Sequence, residues 1–127
     1  MANIDYGLVQ EGFDASRSTI ETMLQKYTPY DRITILPPFF QPSSNSSEPR
    51  IFLWFGMGNT NKPDMLYGYV VSTGFVVESV VRYVDEKTNH IMGSTQNGKS
   101  IEGLSQEEIS GIVVSILQTT IDNIFRK

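Results

Sequence analysis

The middle of the chain constrains the fold most, because it has the pattern of long strands joined by very short turns. Apolar and aromatic residues dominate 65–73 and 75–84, and these stretches meet at Thr73-Gly74. Glycine there supplies the positive φ that a two-residue hairpin turn requires. A second hairpin is predicted through residues 85–88, with a return along 89–92. Turns this short exclude parallel crossovers, so the sheet should be mainly antiparallel.

The end of the chain carries the clearest helix signal. Ser105 and Glu108 have the spacing of a capping box, and apolar residues then recur at helical intervals as far as Phe125. Gly111 interrupts this helix, which predicts close packing of its backbone against a neighbour.

The first half is less regular, because all six prolines lie between Pro29 and Pro63. A polar helix is predicted over 14–27, with Asp14 or Ser16 as its cap. A short strand over 32–36 and a Pro- and Ser-rich loop over 37–49 should follow. Residues 51–55 are all apolar and predict a strand in the middle of the sheet.

These elements predict one α+β domain over residues 1–127. Its sheet should have about five mainly antiparallel strands flanked by an N-terminal and a C-terminal helix, in the order α-β-β-β-β-β-α.

A turn at Thr73-Gly74 also predicts the two faces of the hairpin, since paired residues share a face. The core face should carry Leu66, Gly68, Val70, Phe75, Val77, Ser79 and Val81. The opposite face should carry Met65, Tyr67, Tyr69, Val71, Val76, Val80 and Val84, interrupted by Glu78 and Arg82. A bulge near Gly74 would exchange the faces.

The second face is apolar and rich in tyrosine, which is typical of a protein interface. The alternative is that residues 37–49 fold back and cover it within one molecule. The predicted interface residues are Tyr67, Tyr69, Val71, Val76, Val80, Phe52, Trp54, Phe39 and Phe40.

Composition argues against several other classes of protein. The net charge is −4 and the basic residues are scattered, so nucleic-acid binding is not expected. Cysteine is absent, which removes disulfides and thiolate chemistry. No secretory signal or membrane span is evident, so the expected location is the cytoplasm, or a virion if the source is viral.

We predict no catalytic, cofactor-binding or metal-binding residue, and no enzyme. His90 is the single histidine and should lie beside a hairpin turn, facing Tyr83. Residues 93–100 have the Gly-x4-Gly-Lys-Ser spacing of a phosphate loop, but the preceding strand and following helix that such a loop needs are not predicted there.

The resulting hypothesis is a non-enzymatic assembly or protein-interaction module, either a homo-oligomer or a subunit of a larger assembly such as a virion or secretion apparatus. Two alternatives stay open. One is a nucleotide or small-molecule module that uses residues 93–100 or a pocket between sheet and helices lined by tyrosine and Trp54. The other is a small target-binding inhibitor or secretion chaperone.

Overall fold

The described residues form an α+β fold with one antiparallel sheet and three helices. A computed structural model describes residues 4–45, 48–60, 62–85 and 90–125, with the backbone alone for 62–64, 83–85 and 90–97. The elements are α1 (Tyr6–Ala15), α2 (Arg17–Tyr27), β1 (Arg32–Ile35), β2 (Phe39–Gln41), β3 (Arg50–Asn59), β4 (Lys62–Thr73), β5 (Val76–Asp85), β6 (His90–Ser100) and α3 (Gln106–Phe125).

All six strands belong to one sheet with the order β1-β3-β4-β5-β6, and the short β2 also pairs with β3. Every pairing is antiparallel. The predicted α+β class, the antiparallel sheet and the flanking helices are therefore confirmed.

The N-terminal region contains two helices where one was predicted. Asp5 caps α1, because its Oδ1 accepts a hydrogen bond from the Leu8 backbone N–H at 3.0 Å. At the junction, the buried Ser16 hydroxyl donates to the Phe13 carbonyl at 2.6 Å, so it does not cap α2. The sequence-based helix began at residue 14 and missed α1, whose Val9 and Phe13 enter the core.

The hairpin between β4 and β5 has a different turn from the predicted one. Thr73 pairs with Val76, so the turn residues are Gly74, with φ of +57°, and Phe75. Phe75 therefore lies in the turn, not on the core strand where it was predicted. Each residue of β4 pairs with a residue two positions later in β5 than was predicted. Because side chains alternate with period two, the other residues stay on the faces to which they were assigned.

Strand β6 was not predicted at its full length. Residues 93–100, for which no strand was predicted, pair with β5 in an antiparallel ladder that has an irregularity between Val77 and Ser79. The strand could not be predicted from these residues because Gly and Asn have poor intrinsic β-propensity. Pairing with β5 holds the segment in the strand conformation. His90 pairs with Asp85, not Tyr83. Residues 86–88 of the predicted turn and residue 89 of the predicted return strand lie outside the described part of the chain.

The helices lie on one side of the sheet and enclose the core with it. α3 contacts β5 and β6, α1 contacts α3 and β3, and α2 contacts β1 and α3. The predicted capping box is confirmed, because the Glu108 N–H donates to Ser105 Oγ at 3.2 Å and the Ser105 N–H donates to Glu108 Oε1 at 3.1 Å. Large fully buried side chains include Phe13, Leu24, Leu53, Leu66, Ile116, Leu117 and Ile121.

A buried hydroxyl pair joins the sheet to α3. Ser79 Oγ and Thr120 Oγ1 are 2.5 Å apart, and Thr120 Oγ1 also donates to the Ile116 carbonyl at 3.0 Å. The single hydroxyl proton of Thr120 is thereby used, so Ser79 is the donor of the pair.

Thr120→Val is expected to lower the free energy of unfolding by about 1.5 kcal/mol, since it leaves the buried Ser79 hydroxyl without its acceptor. Ser79→Ala should cost about half as much, because Thr120 keeps its bond to Ile116. Urea denaturation of both variants and the double variant measures the coupling. Strictly additive costs would contradict the bond between the two hydroxyls, and a larger cost for Ser79→Ala than for Thr120→Val would contradict this donor assignment.

Candidate protein-interaction face

One face of the sheet, here called the outer face, is turned away from the three helices. On β3 the core positions are Ile51, Leu53, Phe55 and Met57, all buried. The alternating positions Phe52 and Trp54 therefore lie on the outer face. The register extends this face over β4 and β5, where Trp54 pairs with Tyr69 and Tyr69 pairs with Val80.

The centre of the outer face is an aromatic cluster formed by Phe52, Trp54 and Tyr69. The Trp54 and Tyr69 rings have centroids 4.6 Å apart and are tilted by 51°. Phe52 stacks on Trp54 at 5.8 Å and meets Tyr69 edge-on at 5.6 Å. These are favoured aromatic geometries, so the cluster is an ordered surface rather than a set of independent side chains.

The described outer face is incompletely covered by the protein itself. Met65 is 48% exposed, Val76 43% and Trp54 37%. Tyr67, Tyr69, Phe52 and Val80 are half-buried by their neighbours, and Val71 is buried between them. The predicted residues of β3, β4 and β5 thus form one continuous patch, in which some side chains are exposed and others are partly or fully buried beneath them.

The two phenylalanines at the start of the 37–49 loop lie on opposite faces. β2 pairs in the plane of the sheet, with Phe39 beside Phe52 and Phe40 beside Ile51. Phe39 therefore extends the outer face and is 57% exposed. Phe40 lies on the helix side, where its ring meets Tyr6 edge-on at 5.5 Å. Residues 39–41 extend the edge of the sheet and do not fold across the outer face.

Two features of this face were not predicted from the sequence. Leu36 is 50% exposed, and its N–H donates to the Trp54 carbonyl at 2.9 Å, which places it at the edge beside the aromatic cluster. Gly56 pairs with Tyr67, and a methyl group built on it would have no atom within 4 Å. The alternation along β1 and β3 was the signal for both residues.

The charges of the outer face are few and placed at defined positions. Glu78 and Arg82 are exposed on β5, on either side of Val80. Arg32 and Arg50 lie near the margins of the face by their pairings with Gly58 and Thr73. Within the described residues the ion pair found is Arg17 with Asp14, on the helix side, so Glu78 and Arg82 have no described ionic partner.

The structure offers less to the ligand-binding alternatives. Residues 93–100 form part of β6, which is not the strand-loop-helix setting of a phosphate loop. Trp54 lies on the outer face, so the predicted pocket between sheet and helices cannot include it. An apolar cavity of about 350 Å³ lies beside Leu8, Phe75 and Leu104, where the polar side chains among the lining residues, Asp5 and Glu102, are both exposed.

The described side chains also contain no group of three or more His, Asp or Glu residues arranged to hold a metal ion. No described helix combines the length and apolar character needed to cross a membrane. Comparison of the chain with protein-family models, curated proteins and solved structures finds no match.

Proposed function

We propose that the protein is a non-enzymatic assembly protein that associates with further copies of itself through the outer face of its sheet. The observation that carries this proposal is the aromatic cluster of Phe52, Trp54 and Tyr69, which sits at the centre of a face that no described helix covers. A subunit of a larger assembly, such as a virion or secretion apparatus, would use the same property.

The composition of the face supports a protein as the occupant. Aromatic residues and methionine are enriched in the centres of protein interfaces, and charged residues are depleted there. The central row of this face contains Trp54, Tyr69 and Val80, whereas Arg32 and Arg50 lie at its margins. The face is also preformed, because ordered ring contacts fix the aromatic side chains before a partner arrives.

Tyr69→Glu is expected to convert a wild-type oligomer into a folded monomer. The substitution places a carboxylate next to Trp54, where association would bury it without a partner. Light scattering coupled to size exclusion measures the mass, and circular dichroism checks the fold. Val76→Glu provides a second variant at a position that is 43% exposed, so the charge should not disturb the monomer.

Thr19→Glu is the matched control, because it adds the same charge at an exposed position in the first turn of α2, on the helix side. Its mass should equal that of the wild type. A wild-type chain that remains monomeric over a dilution series from micromolar to millimolar would overturn the proposal. An oligomer that both outer-face variants leave intact would do the same.

A further inference from the structure

Three residues form a row across the middle of the outer face, and the residues on the two sides of this row differ in charge and in size. The pairings align Trp54, Tyr69 and Val80 across β3, β4 and β5. On one side of this row, two positions along each strand, lie Phe52, Val71 and Glu78. Phe52 pairs with Val71, and Val71 pairs with Glu78. On the other side of the row, again two positions along each strand, lie Gly56, Tyr67 and Arg82.

We propose that the partner is a second copy of the chain, stacked face to face about a two-fold axis that runs along the Trp54–Tyr69–Val80 row. This inference rests on the proposed function and adds the symmetry and the pairing. An axis in this direction, between two facing sheets, exchanges the two sides of the row. Each residue on one side then faces a residue from the other side in the second copy.

The first consequence is charge complementarity. Glu78 of one copy faces Arg82 of the second copy, and the symmetry makes this contact twice. Both side chains are exposed and neither has a described ionic partner within its own chain. At the margin, the same operation brings Arg32 opposite Gln41 of the second copy, because these residues lie equally far from the row. The contact of Glu78 with Arg82 of the second copy therefore brings opposite charges together near the row and avoids a like-charge contact there.

The second consequence is complementarity of shape. Phe52 faces Gly56 of the second copy, and space for a side chain is open above Gly56. Tyr67 faces Val71 of the second copy, so a large residue again meets a smaller, buried one. Alternation of large and small residues lets the inner faces of two sheets interdigitate at about 10 Å.

The size of the face is sufficient for such a dimer. It extends from Arg50 to Gly58 along β3 and from β1 and β2 across to β5. With about 3.4 Å per residue and 4.8 Å between strands, it measures roughly 20 Å by 30 Å, or about 600 Å² per copy. Stable interfaces bury about 800 Å² per partner, with the lower end near 600 Å².

Charge reversal tests the pairing. Glu78→Arg gives a face with two arginines and Arg82→Glu a face with two glutamates, so each single variant should dimerise at least about tenfold more weakly. The double variant restores opposite charges and should return to within about threefold of the wild-type dissociation constant. An equimolar mixture of the two single variants should associate more tightly than either one alone. Analytical ultracentrifugation at low salt measures the dissociation constants of the two single variants, the double variant and the mixture.

Gly56→Phe tests the shape argument separately. The new ring enters open space in the monomer, so the variant should fold, but it occupies the position that Phe52 of the second copy requires. Dimerisation should be lost, while circular dichroism stays unchanged. Retained dimerisation would contradict this placement of the axis.

The failures of the two proposals can be told apart. A wild-type monomer, or an oligomer insensitive to both Tyr69→Glu and Val76→Glu, overturns the proposed function and this inference together. A wild-type dimer that Tyr69→Glu dissociates, but in which the charge-reversed single variants keep the wild-type dissociation constant or the double variant fails to recover, overturns the two-fold pairing alone.

Discussion

Replacement of Gly68 by alanine is expected to lower the free energy of unfolding by about 3 kcal/mol. Gly68 lies on the core face of β4, between Phe55 of β3 and Val81 of β5. A methyl group on Gly68 would collide with the Val80 carbonyl oxygen, lie 3.0 Å from the Val81 Cα and lie 3.1 Å from Phe55 Cζ. Two of these atoms belong to the backbone, so the central strands themselves would have to move apart.

Urea denaturation of Gly68→Ala measures this cost, and Gly56→Ala is the matched control. Gly56 lies on the neighbouring strand but on the outer face, where a methyl group has no atom within 4 Å. Its replacement should be neutral or slightly stabilising, because alanine restricts the unfolded chain. Dilute protein keeps self-association out of the measured free energy. Equal costs for the two variants would contradict the close approach at Gly68.

The face of most residues in the β4–β5 hairpin could be predicted from the sequence, although the register and the place of Phe75 could not. Alternation of side chains is a strong local signal, because one face must be apolar enough to enter the core. The position of the turn depends on a choice between Thr73-Gly74 and Gly74-Phe75, and glycine permits both. The observed turn places the positive φ of Gly74 first, which removes Phe75 from the core strand.

Most of strand β6 and helix α1 were missed for different physical reasons. The 93–100 segment has little β-propensity of its own, and pairing with β5 determines its conformation. In α1, Val9 and Phe13 have helical spacing, but Gly7 and Gly12 lower the helix propensity, and the helix packs against α3. Contacts between segments distant in sequence decided both elements.

For most of the outer-face residues, the side of the sheet on which they lie could be predicted from the sequence, but their arrangement could not. Alternation placed Tyr67, Tyr69 and Val80 on one face, but the contribution of Leu36 and the open space at Gly56 depend on pairings across strands. The opposite directions of Phe39 and Phe40 likewise follow from the pairing of β2 with β3. The proposed two-fold pairing about the central row also depends on the register between the strands.

A second large effect is expected at Gly12, where α1 crosses α3. A methyl group there would lie 2.7 Å from Ile109 Cγ2, 3.0 Å from Ile109 Cβ and 3.3 Å from the Gln106 carbonyl oxygen. Ile109 is β-branched and buried, so these atoms cannot rotate away. Gly12→Ala should gain about 1 kcal/mol in helix propensity and lose more in overpacking, for a net loss of about 1 to 2 kcal/mol.

Gly111→Ala supplies the matched control, since both glycines lie inside helices. The sequence predicted close packing at Gly111, which is wrong: Gly111 is exposed, and a methyl group there has no atom within 4 Å. Its replacement should raise the free energy of unfolding by about 1 kcal/mol through helix propensity alone. Urea denaturation should therefore give opposite signs for the two substitutions. A stabilising effect at both positions would mean that α1 and α3 separate easily, and that Gly12 does not set the distance between them.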